Sequence, residues 1–478
     1  MQKQYQIYHG VADLYSYFFE RGLGLLKPGG KLGFICSSTF FKTGSGANLR
    51  RYLLAQTTLE KIIDFGDLQL FAGVTTYPAI LVMKKATTLA GHTVSFLKLN
   101  QLPEEELSKT FHLNKSVLPQ TQLSADSWRL EDNQLAQLRD KIVAGKPTLK
   151  EVYGSPLYGI KTGLNEAFVI DKATRDRLIA QDAKSAEVIK PFLEGKDLKK
   201  WRVEGRDLFL IFTRRGIDID KYPAIKAHLE QYKEQLEPKP KDWQGVWKGR
   251  KSGSYQWFEI QDTVAYYEEF EKVKIIYPEF SDSLKFSIDI LKSYCNNKVY
   301  LISQTNDHFF LLGLLNSNIT WMYLKGVCSF VRGFFLQLYA HYCEKLPIPQ
   351  ATNSQKTEIA TLAQQCQHLA ETRYQKQTAV RHRIPDLCPI GNRIELNHKL
   401  KSWWMLDFKA FREEIKKCFK ADIPLAERND WEIWLNVEKA EIEQLNQQLI
   451  HLEQQLNQKI YTLFELTEEE IELIESHV

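Results

Sequence analysis

The stretch GVADLYSYFFERGLGLLKPGGKLGFICSSTFFKTGSGANLRRYLLAQTTLEKIIDFGDLQLFAGVTTYPAILVMKK, residues 10–85, decides the fold of the chain. Apolar residues recur at roughly helical spacing between Asp13 and Leu26, and a Pro-Gly-Gly turn follows, which predicts a helix that ends there. Short apolar runs typical of buried strands, with one more helical pattern, follow in this order: strand 31–36, helix 49–54, strand 62–65 and strand 79–83. Helices that alternate with buried strands predict a doubly wound α/β sheet.

The composition is that of an ordinary globular protein. The chain has 478 residues, 44% of them hydrophobic and 26% charged, which gives enough apolar material for several domain cores. A net charge of +4 permits a nucleic-acid partner without indicating one. Seven cysteines without a C-x-x-C pair argue against a disulfide framework, and we predict no metal site. No signal peptide or long apolar run is visible, so we expect a cytoplasmic protein without membrane association.

Composition shifts predict four regions. We place an α/β region at residues 1–101, a linker with a short helix at 102–148, an α+β domain at 149–350 and a helical region at 351–478. Apolar residues in the last region are spaced three and four apart, as in coiled-coil seams. They are Ile359, Leu362, Cys366 and Leu369, then Ile442, Leu445, Leu449, Leu452 and Leu456. The seams predict an antiparallel helix pair that packs as core, and a helix that binds a partner remains the alternative.

Several segments carry a family resemblance. Residues 10–35 and 70–85 resemble the second half of an amino-group DNA methyltransferase, more closely a TaqI-like adenine-N6 methyltransferase of type II and IIG restriction–modification systems. Later segments resemble the C-terminal specificity domain of that family: IKPFLEGKDLKKW at 189–201, KIIYPEF at 274–280, LLGLLNSNI at 311–319 and LPIPQ at 346–350. The resemblance implies the second half of an S-adenosyl-L-methionine (AdoMet) methyltransferase sheet, then a target-recognition domain and a coiled-coil-like region.

The resemblance also implies roles for residues in the first region. Asp13, Leu14 and Tyr15 match the family position that lines the AdoMet pocket. Phe71 matches the aromatic residue that stacks on an adenine flipped out of the duplex, because enzymes that modify a base hold it outside the stack. Two alternatives stay open: Asp13 favours the positive end of the helix dipole, and Phe71 packs at a junction between a loop and a strand.

The target-recognition region is expected to bind double-stranded DNA. A G-I-x-T-G-x-N stretch begins at Gly159, and basic residues are interleaved with aromatic ones further on, a pattern that suits phosphate contacts. Arg332 stands alone among apolar residues, and arginine is the usual bidentate reader of guanine. Solvated surface charge, and pairing of Arg332 inside the fold, are the alternatives. The candidate DNA-binding residues are Lys161, Thr162, Asn165, Arg214, Arg215, Lys248, Arg250, Lys251 and Arg332.

One departure from the family pattern shapes the functional hypothesis. The sequence contains no Pro-Pro pair, so the family's Asn-Pro-Pro-Tyr motif is absent, as is its glycine-rich AdoMet loop. Both precede the GVADLY stretch in the family, so we expect no catalytic residue in this chain and an N-terminal methyltransferase half on another chain. The hypothesis is a site-specific adenine-N6 DNA methyltransferase, present as a fragment or split subunit. The alternatives are an inactive DNA-binding specificity protein and a decayed remnant.

Overall fold

The structure is a computed structural model that describes residues 4–66, 68–71, 76–99, 101–130, 133–331, 335–391 and 395–477. The chain folds into two compact units. Unit one comprises Met1–Lys146, Met322–Tyr342 and His477, and unit two comprises Pro147–Trp321, Cys343–Ser476 and Val478.

Residues 1–146 of the chain, which belong to unit one, contain four α-helices and five strands within the described ranges. In chain order they are α1 (Tyr15–Leu25), β1 (Lys31–Ser37), α2 (Ala47–Gln56), β2 (Thr58–Asp64), β3 (Pro78–Lys84), β4 (Thr93–Lys98), α3 (Leu107–Asn114), β5 (Ser116–Pro119) and α4 (Asn133–Val143). Every helix and strand predicted for residues 10–85 is present, which confirms the α/β class. The largest shift of a boundary is at β2, which begins at Thr58 instead of Ile62.

The strands of unit one form one mixed sheet in the order β1-β3-β2-β4-β5. β3 is antiparallel to both of its neighbours, whereas β2 and β4 are parallel. Side chains from α1, α2 and the strands form one core cluster, because each of these elements turns its apolar face to the same interior. Members of this cluster that are at most 1% exposed include Phe19, Leu49, Leu53, Ile62 and Leu81.

The segment predicted to be a linker, residues 102–148, is mostly part of unit one. It contributes α3, β5 and α4, and β5 pairs with β4 in antiparallel register, with Ser116 opposite Phe96. The polar composition of this segment concealed the strand, since only Leu118 of β5 is buried. The boundary between the units lies at Lys146, close to the end of this segment.

The chain then continues through short strands and helices. In order they are α5 (Leu149–Tyr153), β6 (Leu157–Tyr158), α6 (Asn165–Phe168), β7 (Val169–Asp171), α7 (Lys172–Gln181), α8 (Ser185–Val188), β8 (Ile189–Leu193), β9 (Leu198–Lys199), β10 (Arg202–Val203), β11 (Leu208–Ile211), α9 (Pro223–Glu230), α10 (Lys233–Leu236), β12 (Lys274–Pro278), β13 (Phe280–Ser281), β14 (Ser287–Asp289), β15 (Tyr294–Cys295), β16 (Val299–Ile302), α11 (His308–Leu315), α12 (Asn318–Val327), β17 (Phe330–Val331) and β18 (Phe335–Gln337).

Two small sheets organise unit two. One has the order β15-β8-β11-β7 and the other the order β14-β12-β16-β6. Side chains from both sheets enter a common core cluster, to which Phe192, Leu210, Ile276 and Leu301 belong. The chain passes into unit one within α12 and returns after Tyr342, so the region predicted as one domain at 149–350 contributes to both units.

The last part of the chain is helical, as expected. Its helices are α13 (Ala340–Cys343), α14 (Asn353–Arg383), α15 (His398–Lys401), α16 (Phe408–Phe419), α17 (Arg428–Leu463) and α18 (Glu468–Glu475). Lys459 near the end of α17 pairs with Glu358 near the start of α14 at 2.7 Å, and Arg373 donates to Asn446 at 2.8 Å. These contacts confirm that α14 and α17 pack as an antiparallel pair.

The contact face of this pair differs in part from the predicted seams. Ile359, Cys366, Ile442, Leu449 and Leu456 are buried, whereas Leu362, Leu369, Leu445 and Leu452 are only partly buried. Ala363 and Ala370 of α14 are fully covered instead. An α-helix turns every 3.6 residues, so a strict spacing of three and four drifts away from the contact face of a straight helix.

None of the described helices combines the length and the apolar character that crossing a bilayer would require.

Candidate functional site

One edge of the unit one sheet gathers the ends of several strands. Ser37, the last residue of β1, lies opposite Pro78, the first residue of β3. Asp64, the last residue of β2, lies opposite Ala79. The segment that joins β2 to β3 therefore leaves and re-enters the sheet at this edge. Ligands of open α/β sheets bind outside the carboxyl ends of the strands, which makes this edge the candidate site.

The three residues predicted to line the AdoMet pocket adjoin this edge. The Tyr15 hydroxyl lies 3.2 Å from Thr39 Oγ1, which is 3.0 Å from Ser37 Oγ. Burial raises the pKa of Tyr15, so its hydroxyl stays protonated at neutral pH. Asp13 is exposed, and its Oδ1 accepts from the backbone N–H of Leu14 at 2.6 Å, while the Leu14 side chain is 56% exposed.

This group of side chains suits one wall of a nucleoside pocket. The Asp13 carboxylate can accept hydrogen bonds from hydroxyl or amino groups, because within the described residues only the adjacent N–H of Leu14 is bound to it. The exposed Leu14 side chain and the Tyr15 ring offer apolar surface beside it. The residues therefore fit the predicted cofactor, and their role in binding it remains a prediction.

Phe71 lies in the segment between β2 and β3, at the same edge. Its side chain is 48% exposed, whereas Phe65 at the start of this segment is 4% exposed and packed in a core cluster. A half-exposed ring at this edge is available for stacking, and the role of Phe71 as the clamp stays a prediction. Residues 72–75, which continue the F-x-G-x-x-T-Y-P stretch, lie outside the described residues.

Lys42 is a residue of this site that the sequence did not reveal. Its Nζ donates to the carbonyl oxygen of Cys328 at 3.4 Å, within unit one. Burial, reinforced by the nearby charge of Lys98, lowers the pKa of Lys42 to about 8, although Asp64 acts in the opposite direction. The sequence signal that could have revealed it is a lysine that follows a Phe-Phe pair, shortly after a buried strand. Such an amine is a potential donor close to the edge where a ligand would sit.

The depressed pKa of Lys42 predicts a pH-dependent mutant effect. Between about pH 8 and its ordinary pKa of 10.5 the unfolded chain binds more protons at this lysine, so wild-type stability rises with pH in that window. Lys42→Met removes the cost of burying the charge. We expect the variant to melt at a higher temperature than wild type near pH 7, and this difference to shrink near pH 10.

The matched control for this prediction is Lys31→Met, which changes a lysine whose side chain is 61% exposed. Its difference in melting temperature from wild type should stay small at both pH values, because exposed pairs contribute little. A Lys42→Met difference that does not change with pH would contradict the expectation.

The candidate DNA-binding residues of unit two fall into distinct groups. Five of them have exposed side chains and can reach a ligand: Lys161, Asn165, Arg214, Lys248 and Lys251. Arg215 is partly buried, and its two terminal nitrogens donate to Ser254 Oγ and to the carbonyl oxygen of Gln261, each at 2.8 Å. Arg332 lies outside the described residues, so its predicted role is not addressed by the structure.

Arg250 and Thr162 have structural roles, which corrects the expectation that they contact DNA. The Arg250 side chain is buried and donates to the carbonyl oxygens of Leu236 at 2.7 Å and Glu259 at 2.7 Å. Thr162 is 1% exposed, and its hydroxyl donates to Asn165 Oδ1 at 2.7 Å. Side chains enclosed in this way are not available for contact with a nucleic acid.

Three segments of the chain match known family models. Residues 1–71 match the family model of the Eco57I restriction-modification methylase, and residues 190–348 match that of the TaqI-like C-terminal specificity domain. One segment of the chain is thus similar to the Eco57I methylase, and a later segment is similar to the TaqI-like specificity domain. Residues 352–460, which contain the α14–α17 pair, match a domain of unknown function, DUF8810. The candidate edge and Phe71 belong to the methylase segment and the sheet that continues it.

Curated relatives are similar to about three quarters of the chain. The chain is 24% identical over 75% of its length to the type II methyltransferase M.BstVI of Geobacillus stearothermophilus, and 25% identical over 73% to M.PaeR7I of Pseudomonas aeruginosa. It spans 65% of the first relative and 60% of the second. The chain thus corresponds to somewhat less than two thirds of these proteins.

A solved structure supports the fold. The type IIL restriction-modification enzyme MmeI, determined in complex with DNA, superposes with a TM-score of 0.50 at 12% identity. The match covers 91% of this chain and 53% of that chain. At this level of identity the similarity concerns the fold, including the methylase segment and the specificity domain.

Proposed function

We propose that this chain is the recognition-bearing part of a site-specific adenine-N6 DNA methyltransferase of a restriction–modification system. The observation that carries the proposal is the order of the two family matches, a methylase segment followed by a specificity domain. Relatives named as type II methyltransferases match over 72–75% of the chain. In this proposal unit two reads a short sequence in double-stranded DNA, and the candidate edge of unit one takes part in methyl transfer.

The proposed cofactor is AdoMet, which supplies an electrophilic methyl group. Asp13, Leu14 and Tyr15 would hold it in part: the carboxylate accepts hydrogen bonds, while the leucine and the tyrosine ring cover apolar surface. Because Tyr15 is hydrogen-bonded to Thr39 at the end of β1, its ring is held in one orientation before any ligand binds. A pre-organised wall of this kind lowers the entropic cost of binding.

Phe71 is proposed to stack on the adenine that is flipped out of the duplex. Extracting a base costs stacking energy, and an aromatic surface in the enzyme restores part of it. The exposed ring stands at the sheet edge that the cofactor wall adjoins. The base and the methyl donor would therefore meet at this edge.

The rest of the methyl-transfer centre is proposed to come from a second polypeptide segment. The sequence has no Asn-Pro-Pro-Tyr tetrapeptide, whose Asn and Pro groups accept hydrogen bonds from the adenine amino group in the family that the chain resembles. Much of such catalysis is alignment of the amino nitrogen with the methyl carbon. A partner that contributes this motif would complete the site, and the coding sequence directly upstream is the first place to look.

Reconstitution tests this function. The chain would be co-expressed with the polypeptide encoded directly upstream, purified through a tag on this chain, and incubated with tritium-labelled AdoMet and duplex DNA. We expect N6-methyladenine within one short sequence from the complex, and none from the chain alone. DNA binding without methylation by the complex would favour a non-catalytic specificity protein instead.

Replacing Phe71 tests the clamp within that complex. Phe71→Ala should lower kcat/KM for duplex DNA by roughly 5- to 150-fold, because base–aromatic stacking contributes about 1–3 kcal/mol per base. Phe71→Trp keeps an aromatic face and should retain most of the activity. An alanine variant that turns over duplex DNA at the wild-type rate would exclude Phe71 as the clamp.

A further inference from the structure

A cavity of about 320 Å³ in unit two lies beside the end of β11. Charged and tyrosine side chains line it, among them Lys190, Arg214, Tyr222, Tyr267, Glu271 and Tyr294. Most of its lining residues are within the part of the chain that matches the TaqI-like specificity domain, residues 190–348. Its chemistry therefore bears on what this domain recognises.

Most of the charges in this cavity are already engaged with each other. Glu271 accepts from the Tyr294 hydroxyl at 2.9 Å and pairs with Lys190 at 3.1 Å. Glu187, also in the lining, accepts from the Tyr222 hydroxyl at 2.9 Å. Arg215 is held by its hydrogen bonds to Ser254 and Gln261. These side chains form a fixed frame, since moving any of them would break a hydrogen bond or an ion pair.

The Arg214 side chain is not part of this frame. It is exposed, and among the residues that the structure describes its guanidinium has neither a hydrogen-bond acceptor nor an ion-pair partner. Its Cζ lies 4.3 Å from the centroid of the Tyr267 ring. Contact with the aromatic face restricts the orientation of the guanidinium while its N–H groups stay free, so the donor fork is oriented before a ligand arrives.

We propose that Arg214 reads a guanine through its major-groove edge, with Tyr267 as the residue that positions it. Guanine presents O6 and N7 as two adjacent acceptors, and the planar fork of arginine matches them with two parallel hydrogen bonds. The inference rests on the proposed function, because it requires that unit two binds duplex DNA.

The surroundings of Arg214 favour a base edge over a backbone phosphate. Besides Arg214, the lining of the cavity holds two cations, Lys190 and Arg215, and two carboxylates, those of Glu187 and Glu271. These charges balance and add no net attraction for a phosphate, whereas a guanine edge is neutral and needs none. Lys248, by contrast, has a side chain that is 81% exposed and lies on another loop, where a phosphate contact is sterically open.

The test is a selection from a library of randomised duplex DNA, followed by sequencing of the bound molecules. It uses the full 478-residue chain with Arg214→Ala, Arg214→Lys, Tyr267→Leu, Tyr267→Phe and Lys248→Ala variants. We expect wild type to enrich a motif that contains guanine. Arg214→Ala and Arg214→Lys should both lose the preference at one guanine by roughly 5- to 150-fold, and keep the preferences at all other positions.

The tyrosine variants separate positioning from simple packing. Tyr267→Leu removes the aromatic face and should weaken the preference for the same guanine. Tyr267→Phe keeps the face and should retain the wild-type motif. Lys248→Ala should weaken binding to all sequences without changing the motif. A wild-type motif that persists unchanged in Arg214→Ala overturns this inference alone. A wild-type chain that binds DNA with no preference, or does not bind it, overturns the proposed recognition function itself.

Discussion

Arg50→Met is expected to lower the free energy of unfolding of unit one by about 3 kcal/mol or more, and its melting temperature by about 6–12 °C. The Arg50 side chain is 1% exposed and donates to four carbonyl oxygens. Two belong to Phe40 and Thr43, in the loop after β1, and two belong to Ala125 and Asp126. Methionine fills similar space but donates nothing, so these buried acceptors would lose their partner.

The neighbouring residue provides the control. Arg51 is exposed and donates only to Asn48 Oδ1, at 3.1 Å, among the described residues. Arg51→Met should change the unfolding free energy by about 0.5 kcal/mol or less. Calorimetry and urea unfolding of both variants would measure the contrast. If the two substitutions lower the free energy of unfolding by the same amount, the loop after β1 does not depend on the Arg50 guanidinium.

The loop held by Arg50 is tightly packed at one further point. A Cβ atom on Gly46 would overlap the carbonyl oxygen of Phe40 and approach Arg50 Nη1. Glycine is thus required here because the backbone of the loop approaches too closely for a side chain. The loop contains Lys42, so the arginine also fixes part of the candidate site.

Lys274→Met is expected to destabilise unit two by about 3–5 kcal/mol. The Lys274 side chain is fully buried and its Nζ donates to Asp289 Oδ2 at 2.7 Å and to the carbonyl oxygen of Phe270 at 2.7 Å. The same carboxylate accepts from the backbone N–H of Ser293 at 2.7 Å. Removing the ammonium group leaves a buried carboxylate without its counter-charge, which is the costly way to break such a pair.

Lys285→Met is the matched control for this prediction. Lys285 pairs with Asp282 at 2.6 Å on the surface of the same unit, where the aspartate side chain is 49% exposed. Loss of this surface pair should lower the free energy of unfolding by at most about 1 kcal/mol. Urea unfolding, monitored by the near-ultraviolet signal of the tryptophans of unit two, would give the unfolding midpoint of both variants. Equal midpoints would mean that burial of the first pair has no energetic consequence.

The sequence was most informative where local pattern and tertiary packing agree. The Pro-Gly-Gly turn and the short apolar runs located α1, β1 and β3 within two residues of their observed ends. The helical pair was predicted because its apolar spacing is long and regular. β5 was missed, since a short edge strand with one buried residue has no periodicity to detect.

The site could be predicted less well, because roles depend on neighbours that are distant in the sequence. Arg214, Arg215 and Arg250 look alike in the sequence. In the structure one contacts an aromatic ring, one bonds a serine and a carbonyl group, and one is enclosed by carbonyl oxygens. The depressed pKa of Lys42 likewise depends on burial by surrounding elements.

The path of the chain between the units has a consequence for engineering. A chimera that exchanges everything after Lys146 would also import residues 322–342, which complete unit one, from the donor protein. A graft intended to change only target preference should therefore keep Met322–Tyr342 from the recipient and join the donor segments on either side. Chimeras with one junction and with three junctions would then differ in yield of folded protein before any difference in specificity is measured.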